Sequence, residues 1–140
     1  MILVDSSVWI AHLRSLDTRA VRALRSLEDT DMILVGDIVL LEVLQGARDE
    51  AHAIRIENDL RAFRVEPMMD EQRAIRAARN YRLLRARGVT IRKTVDVIIA
   101  TFCLDRNHAL LHDDRDFDAF AEILGLRVIS TPLPYGEGQG

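Results

Sequence analysis

Residues 94–120 read TVDVIIATFCLDRNHALLHDDRDFDAF. Thr94 stands as a helix cap ahead of Val95, Ile98, Ile99 and Phe102, which recur at helical spacing. Residues 109–112 are short and apolar, as in a buried strand, and run into the acidic turn Asp113, Asp114, Arg115, Asp116, followed by Phe117, Phe120 and Leu124. A helix handing over to a buried strand that ends in acids is a unit of a parallel α/β sheet.

The same alternation extends towards both ends. Residues 1–4 form an apolar run stopped by Asp5 and Ser6, the pattern of a strand entering a helix N-cap. Trp9, Leu13 and Leu16 follow at helical spacing as expected core, and Asp17 with Thr18 caps a second helix carrying Val21, Leu24 and Leu27. Residues 32–35 repeat the strand pattern, and Gly36 and Asp37 lead into a helix with Ile38, Leu41, Glu42 and Gln45, for which Asp37 is the expected cap. Gly46 ends or kinks that helix, and residues 49–63 resume the period through Ile54, Ile56, Leu60 and Phe63. Arg64 to Glu66 is a short candidate edge strand before Pro67. From Asp70 a helix with Ala74, Ala78, Tyr81 and Leu84 on one face runs to Gly88, and residues 127–129 are the last expected strand. The expected fold is α/β, a central, mostly parallel sheet of four to five strands flanked by helices in three layers. Residues 1–131 form one domain and residues 132–140, with two prolines and three glycines in the stretch from Pro132, form a flexible tail.

Composition narrows the function. The 140 residues carry a net charge of -3 with 29% charged side chains, so a polyanionic substrate has to be gripped locally rather than by bulk basic charge. Cys103 is the single cysteine, which excludes an intramolecular disulfide or a thiolate metal site and fits a reducing cytoplasm. The opening residues lack a basic region before the apolar run, arguing against a signal peptide, and no apolar stretch is long enough to span a bilayer.

In open parallel sheets, reactive groups collect beyond the carboxyl ends of the strands where strand order reverses. Asp5 and Asp114 each follow a strand, and Asp96 and Glu42 sit early in helices that enter the same crevice. Individually, Asp5 reads equally well as a helix cap, and Asp96 alone reads first as a cap. Glu42 does not, because it interrupts the apolar run of Ile38, Val39, Leu40, Leu41, Val43 and Leu44, and a charge there needs a partner. Clustered carboxylates require a cation or take up protons. Magnesium or manganese suits such oxygen donors and points to phosphodiester hydrolysis.

These stretches resemble the PIN domain family and, within it, the VapC-type toxins of bacterial toxin–antitoxin pairs. The resemblance rests on ILVDSSVWI near the start, GDIVLLEVLQGAR around Glu42, residues 94–120 around Asp96 and Asp114, and the closing LRVI, and it covers nearly the whole chain. It implies a PIN-like fold and a metal-dependent endoribonuclease, usually a homodimer or a larger assembly with its VapB-like antitoxin, which inserts a basic side chain among the acids. Asp5, Glu42, Asp96 and Asp114 correspond to the family's acidic quartet and Asp116 to a further acid of the same turn. Asp5, Asp96 and Asp114 would hold Mg2+ or Mn2+, Ser7 would orient a carboxylate or water, and Ser6 would cap the helix. Cleavage would leave a 3′-hydroxyl and a 5′-phosphate. The alternative within the same family is a non-catalytic RNA- or protein-binding module, against which the intact acidic set argues.

Two other classes fit less well. An aspartyl-phosphate phosphatase needs a second aspartate where Ser7 stands, and a phosphoacceptor receiver domain needs a lysine after a late strand, whereas Lys93 precedes a helix. Arginines 73, 76, 79, 82 and 85 drift around their helix, which reads as a solvated face. The competing reading is contact with RNA phosphates, joined by Arg87, Arg92 and Lys93. Trp9, Cys103 and the scattered histidines, His112 included, read as structural.

Overall fold

A computed structural model describes residues 1–129, and the expected C-terminal tail lies outside them. Four short strands make one all-parallel sheet: β1 (Ile2–Val4), β2 (Ile33–Gly36), β3 (Arg64–Glu66) and β4 (Ala109–Leu111), in the order β3-β2-β1-β4. Leu3, Val4, Leu34, Val35, Leu110 and Leu111 are all buried, which is why these strands appear in the sequence as unbroken apolar runs rather than alternating ones.

Among the described residues seven α-helices surround the sheet: α1 (Ser6–Leu13), α2 (Arg19–Arg25), α3 (Asp37–Gln45), α4 (Glu50–Leu60), α5 (Glu71–Ala86), α6 (Thr94–Arg106) and α7 (Asp118–Leu124). The chain steps from β1 to β2 to β3 in one direction and then returns to place β4 on the other side of β1. Because parallel crossovers are right-handed, the first two put α1–α4 on one face and the return puts α5 and α6 on the other. The contacts agree: α1 touches α2 and α3, α3 touches α4, and α5 packs on α6 and α7. Strand order therefore reverses between β1 and β4, and a crevice opens at their carboxyl ends.

The expected architecture holds, and several local assignments change. Arg64–Glu66 is a genuine edge strand paired with β2. The last expected strand is reduced to one bridge, Leu110 with Val128, flanked by hydrogen bonds of 2.9 Å from Leu110 N to Arg127 O and from Ile129 N to Leu110 O. Leu16 is not core but 48% exposed, because α1 stops at Leu13 and Ser15 turns the backbone at φ 58°. Ile54 is likewise exposed, on the outer side of α4. Thr94 opens α6 but does not cap it; the cap position is Lys93, which has extended backbone and no capping side chain. Asp37 is the first residue of α3 rather than its cap, because its carboxylate accepts the backbone N–H of Met68 at 3.0 Å. That bond ties the start of α3 to the chain leaving β3, where Met68 fills the space a side chain on Gly36 would need.

The arginine-rich helix is not uniformly solvated: Arg73 and Arg76 are engaged within the fold, while Arg79, Arg82 and Arg85 are exposed. Arg73 is buried, donates to Asp105 on α6 at 2.9 Å and to Met68 O at 2.9 Å, and stacks over the Phe102 ring. Arg76 reaches the same Asp105 at 2.7 Å. Burial raises the Asp105 pKa, but the hydrogen bonds and charges of Arg76 and Arg73 outweigh it and hold the carboxyl below its ordinary value. Arg73→Met is expected to destabilise the fold by about 3 kcal/mol, since it strips one partner from a buried ion pair. A urea melt checks this, and Arg76→Met, on the exposed side of Asp105, should cost far less.

Candidate active site

Asp5 leaves β1 directly into α1 and is the helix cap, a role expected of Ser6: its Oδ2 accepts the Ser7 N–H at 3.1 Å and the Ser7 hydroxyl at 2.6 Å. Ser7 Oγ in turn accepts the backbone N–H of Asp113 at 3.2 Å, and Asp5 N donates to Leu111 O at 2.9 Å. The carboxyl ends of β1 and β4 are thus laced together, with Ser7 bonded to the Asp5 carboxylate through both its N–H and its hydroxyl. Ser6 is freed from capping and donates from Oγ to Glu42 Oε1 at 3.0 Å. This answers the requirement for a partner that Glu42 poses in its apolar surroundings.

Asp96 lies in the first turn of α6, 4% exposed, with Oδ2 lacking any hydrogen-bond partner. Asp114 caps the short turn of residues 115–117 by accepting the Asp116 N–H at 2.9 Å. Asp96, Asp114 and Asp116 each offer an oxygen, all within 4.8 Å of one another. Asp116 is therefore as much part of the cluster as Asp114, whereas Asp113 is exposed and is the solvated member of the turn. Asp5 belongs to the neighbouring edge of the site: its charge reaches both Asp96 and Glu42, and its Oδ1 is buried without a partner. His112 serves the turn, its Nδ1 accepting the Asp114 N–H at 3.2 Å and its ring lying against Phe117.

The electrostatics follow from the crowding. Burial, together with the charges of Asp114 and Asp5, pushes the Asp96 carboxyl up to about 7, only partly relieved by Lys93. Burial also raises Asp5 against the opposing hydrogen bonds of Ser7, and raises Glu42, where Ser6 and Lys93 oppose and Asp5 reinforces the shift. Without a cation the site holds protons. Its donors are hard carboxylate oxygens, several of them buried and unpartnered, and Cys103 is sealed in the core with its thiol pushed up to about 12 by burial. That donor set fits magnesium or manganese rather than zinc.

Sequence reasoning named Arg92 and Lys93 as candidate RNA contacts but missed the Ser6–Glu42 bond and the pairing of these two cations with the acids: Lys93 Nζ lies 3.7 Å from Asp114 Oδ2, and Arg92 Nε 3.6 Å from Asp116 Oδ2. The usable signal was the single lysine of the chain standing three residues before Asp96.

A parallel α/β sheet whose switch-point crevice gathers carboxylates from the end of β1, from α3 and α6 and from the turn after β4 defines an acidic type of site, three of whose carboxylates could hold a cation. The family profile described as "PIN domain" matches residues 2–123, and the chain belongs to that family. It is 32% identical over 135 residues to VapC ribonuclease Mb1587 of Mycobacterium bovis, an alignment spanning 93% of this chain and 98% of that one. It is 34% identical over 125 residues to ribonuclease VapC51 of Mycobacterium tuberculosis, spanning 88% and 87%. The crystal structure of VapBC2 from Rickettsia felis bound to a DNA fragment from its promoter shares the fold, with a TM-score of 0.74 at 15% identity over 94% of this chain and 100% of that one.

Proposed function

We propose that this protein is a metal-dependent endoribonuclease of the VapC toxin kind, acting in the cytoplasm and restrained by a VapB-like antitoxin. The observation that carries the reading is the convergence of Asp96, Asp114 and Asp116 within 4.8 Å in a chain whose relatives are VapC ribonucleases. The complex from Rickettsia felis supports an antitoxin as the partner, and a homodimer, alone or within that complex, is the assembly we infer.

In this reading Asp96, Asp114 and Asp116 would hold the divalent ion and Asp5 would complete the set from the adjoining strand end. A magnesium or manganese ion held by these residues would supply Lewis-acid chemistry: polarisation of a phosphate, a more nucleophilic water and stabilisation of the departing oxygen. Ser7 holds Asp5 in place through the 2.6 Å bond. Glu42, steered by Ser6, orients the attacking water and accepts its proton, a task helped by a carboxyl raised above its ordinary value.

The test is expression with and without the upstream neighbouring gene, followed by sequencing of new RNA 5′ ends. Growth arrest with one dominant cleavage site, suppressed by the neighbour, is the expected result. Arrest without any new 5′ end would overturn ribonuclease action as the cause.

A further inference from the structure

Lys93 is the only lysine among 19 Lys and Arg side chains, and its ammonium sits over the acidic cluster, 3.7 Å from Asp114. Next to it, Arg92 faces Asp116 at 3.6 Å. Both separations exceed hydrogen-bond length, so charge alone holds these pairs. The contrast is with the half-enclosed Asp105, which Arg73 and Arg76 grip at 2.9 and 2.7 Å; Arg106 with Glu66, at 3.5 Å, is nearly as loose as the pairs at the site. The anionic partners are largely enclosed, with Asp114 and Asp116 side chains 21% and 17% exposed, while Lys93 and Arg92 are 62% and 78% exposed.

The root of Lys93 is fixed even though its tip is not. Its carbonyl accepts the Asp96 N–H at 3.1 Å, which starts α6. The charge also extends beyond Asp114, since it favours the ionised forms of both Asp96 and Glu42. A tethered cation thus stands at the mouth of the site with a flexible stem and no hydrogen bond to break when it leaves.

We propose that Lys93 and Arg92 are built-in counter-ions that occupy the acidic cluster in the metal-free protein, yield it to the divalent cation, and then turn to the RNA phosphate. The inference rests on the metal-site reading above. Two single charges are exchanged for one double charge, so the exchange itself leaves the net charge of the site unchanged. Repulsion by the incoming ion displaces the ammonium, and the fixed root keeps it within a side chain's length of a phosphate bound there.

Because Lys93 is the only lysine, reductive 13C-methylation labels its ammonium and the N-terminus alone. Mg2+ is expected to move the Lys93 signal towards that of a free, solvated side chain, and adenosine 5′-monophosphate added to the Mg2+ form should move it again. The doubly substituted Lys93→Met, Arg92→Gln protein should bind Mn2+, followed by electron paramagnetic resonance, roughly three- to tenfold more tightly, the range open to two exposed ion pairs. The same protein should bind the nucleotide roughly fivefold more weakly in the presence of Mg2+. Lys93→Arg, which keeps the charge, should resemble the original protein in both. A loop that merely shapes the site would weaken both ligands together. Equal Mn2+ affinity in the original and doubly substituted proteins, or a Lys93 signal indifferent to Mg2+, overturns the inference while leaving the metal site standing. An original protein that does not bind Mn2+ at all overturns the metal-site reading and this inference with it.

Discussion

Asp96→Asn is expected to lower RNA cleavage at least ~1000-fold while making the metal-free protein more stable, not less. Loss of one ion-holding carboxylate removes transition-state stabilisation on the order of several kcal/mol, and about 4 kcal/mol is already three decades of rate. The opposite sign for stability comes from burial. Asp96 is 4% exposed, has an oxygen without a partner, and faces the charges of Asp114 and Asp5. An amide of the same shape has no charge to desolvate there and removes the repulsion. At neutral pH in EDTA the variant should melt roughly 5 °C above the original chain. Asp5→Asn should also abolish cleavage, and because asparagine keeps an acceptor oxygen, the cap on Ser7 N and hence the fold should survive. Cleavage by Asp96→Asn within tenfold of the original would remove Asp96 from the machinery. Collapse of the fold would contradict the strain inferred for its carboxylate.

The strands were legible for one physical reason. A strand buried on both faces has to be apolar throughout, and residues 1–4, 32–35 and 109–112 are short apolar runs stopped by a turn or an acid. The edge strand was harder because Arg64 and Val65 face solvent and break that pattern. Helix caps were misread where two candidates stood side by side. Asp5 and Ser6, or Asp37 behind Gly36, differ only in which side chain has another partner, and those partners, Glu42 for Ser6 and Met68 N for Asp37, are 36 and 31 residues away along the chain. Arg73 shows the same limit. Its spacing on α5 suggested a solvated row, but Asp105 lies 32 residues further on and only the α5–α6 packing brings it close.

The candidate site was legible as a set and ambiguous in its members. Asp5 and Asp114 follow strands and Asp96 opens a helix at the carboxyl edge of the sheet, as spacing suggests, whereas Glu42 lies in the second turn of α3 and is joined to them through Ser6 and the charge of Asp5. Membership of Asp116 depends on the tight turn that folds its carboxylate back beside Asp114. The placement of Lys93 and Arg92 depends on how the loop before α6 approaches that turn, and local sequence does not determine this.

The metal-free protein is expected to lose stability as the pH rises from about 4 to about 7, and added Mg2+ or Mn2+ should restore it most strongly at the upper end. The sign follows from proton uptake. Unfolded, Asp96 titrates near its ordinary 3.8; folded, it titrates near 7, so between those values the native state holds a proton that the unfolded chain has released. Stability therefore falls with pH through that window and levels off above it. For this group alone the change is on the order of 4 kcal/mol at most, from about 1.4 kcal/mol per pH unit, and the raised Asp5 and Glu42 act in the same direction. A divalent ion binds the ionised form, competes with that proton, and so gains affinity over the same interval. Thermal melts at pH 5 and pH 7.5, each with EDTA or Mg2+, check this: the metal-induced rise in Tm should be small at the lower pH and large at the higher. Asp96→Asn should flatten the EDTA profile, because it removes the largest of the shifted groups. A metal-free Tm that climbs between pH 5 and pH 7, or a metal-induced rise that is equal at both, would mean that the acids near Asp96 are ionised without help and that the crevice is not crowded enough to require a cation.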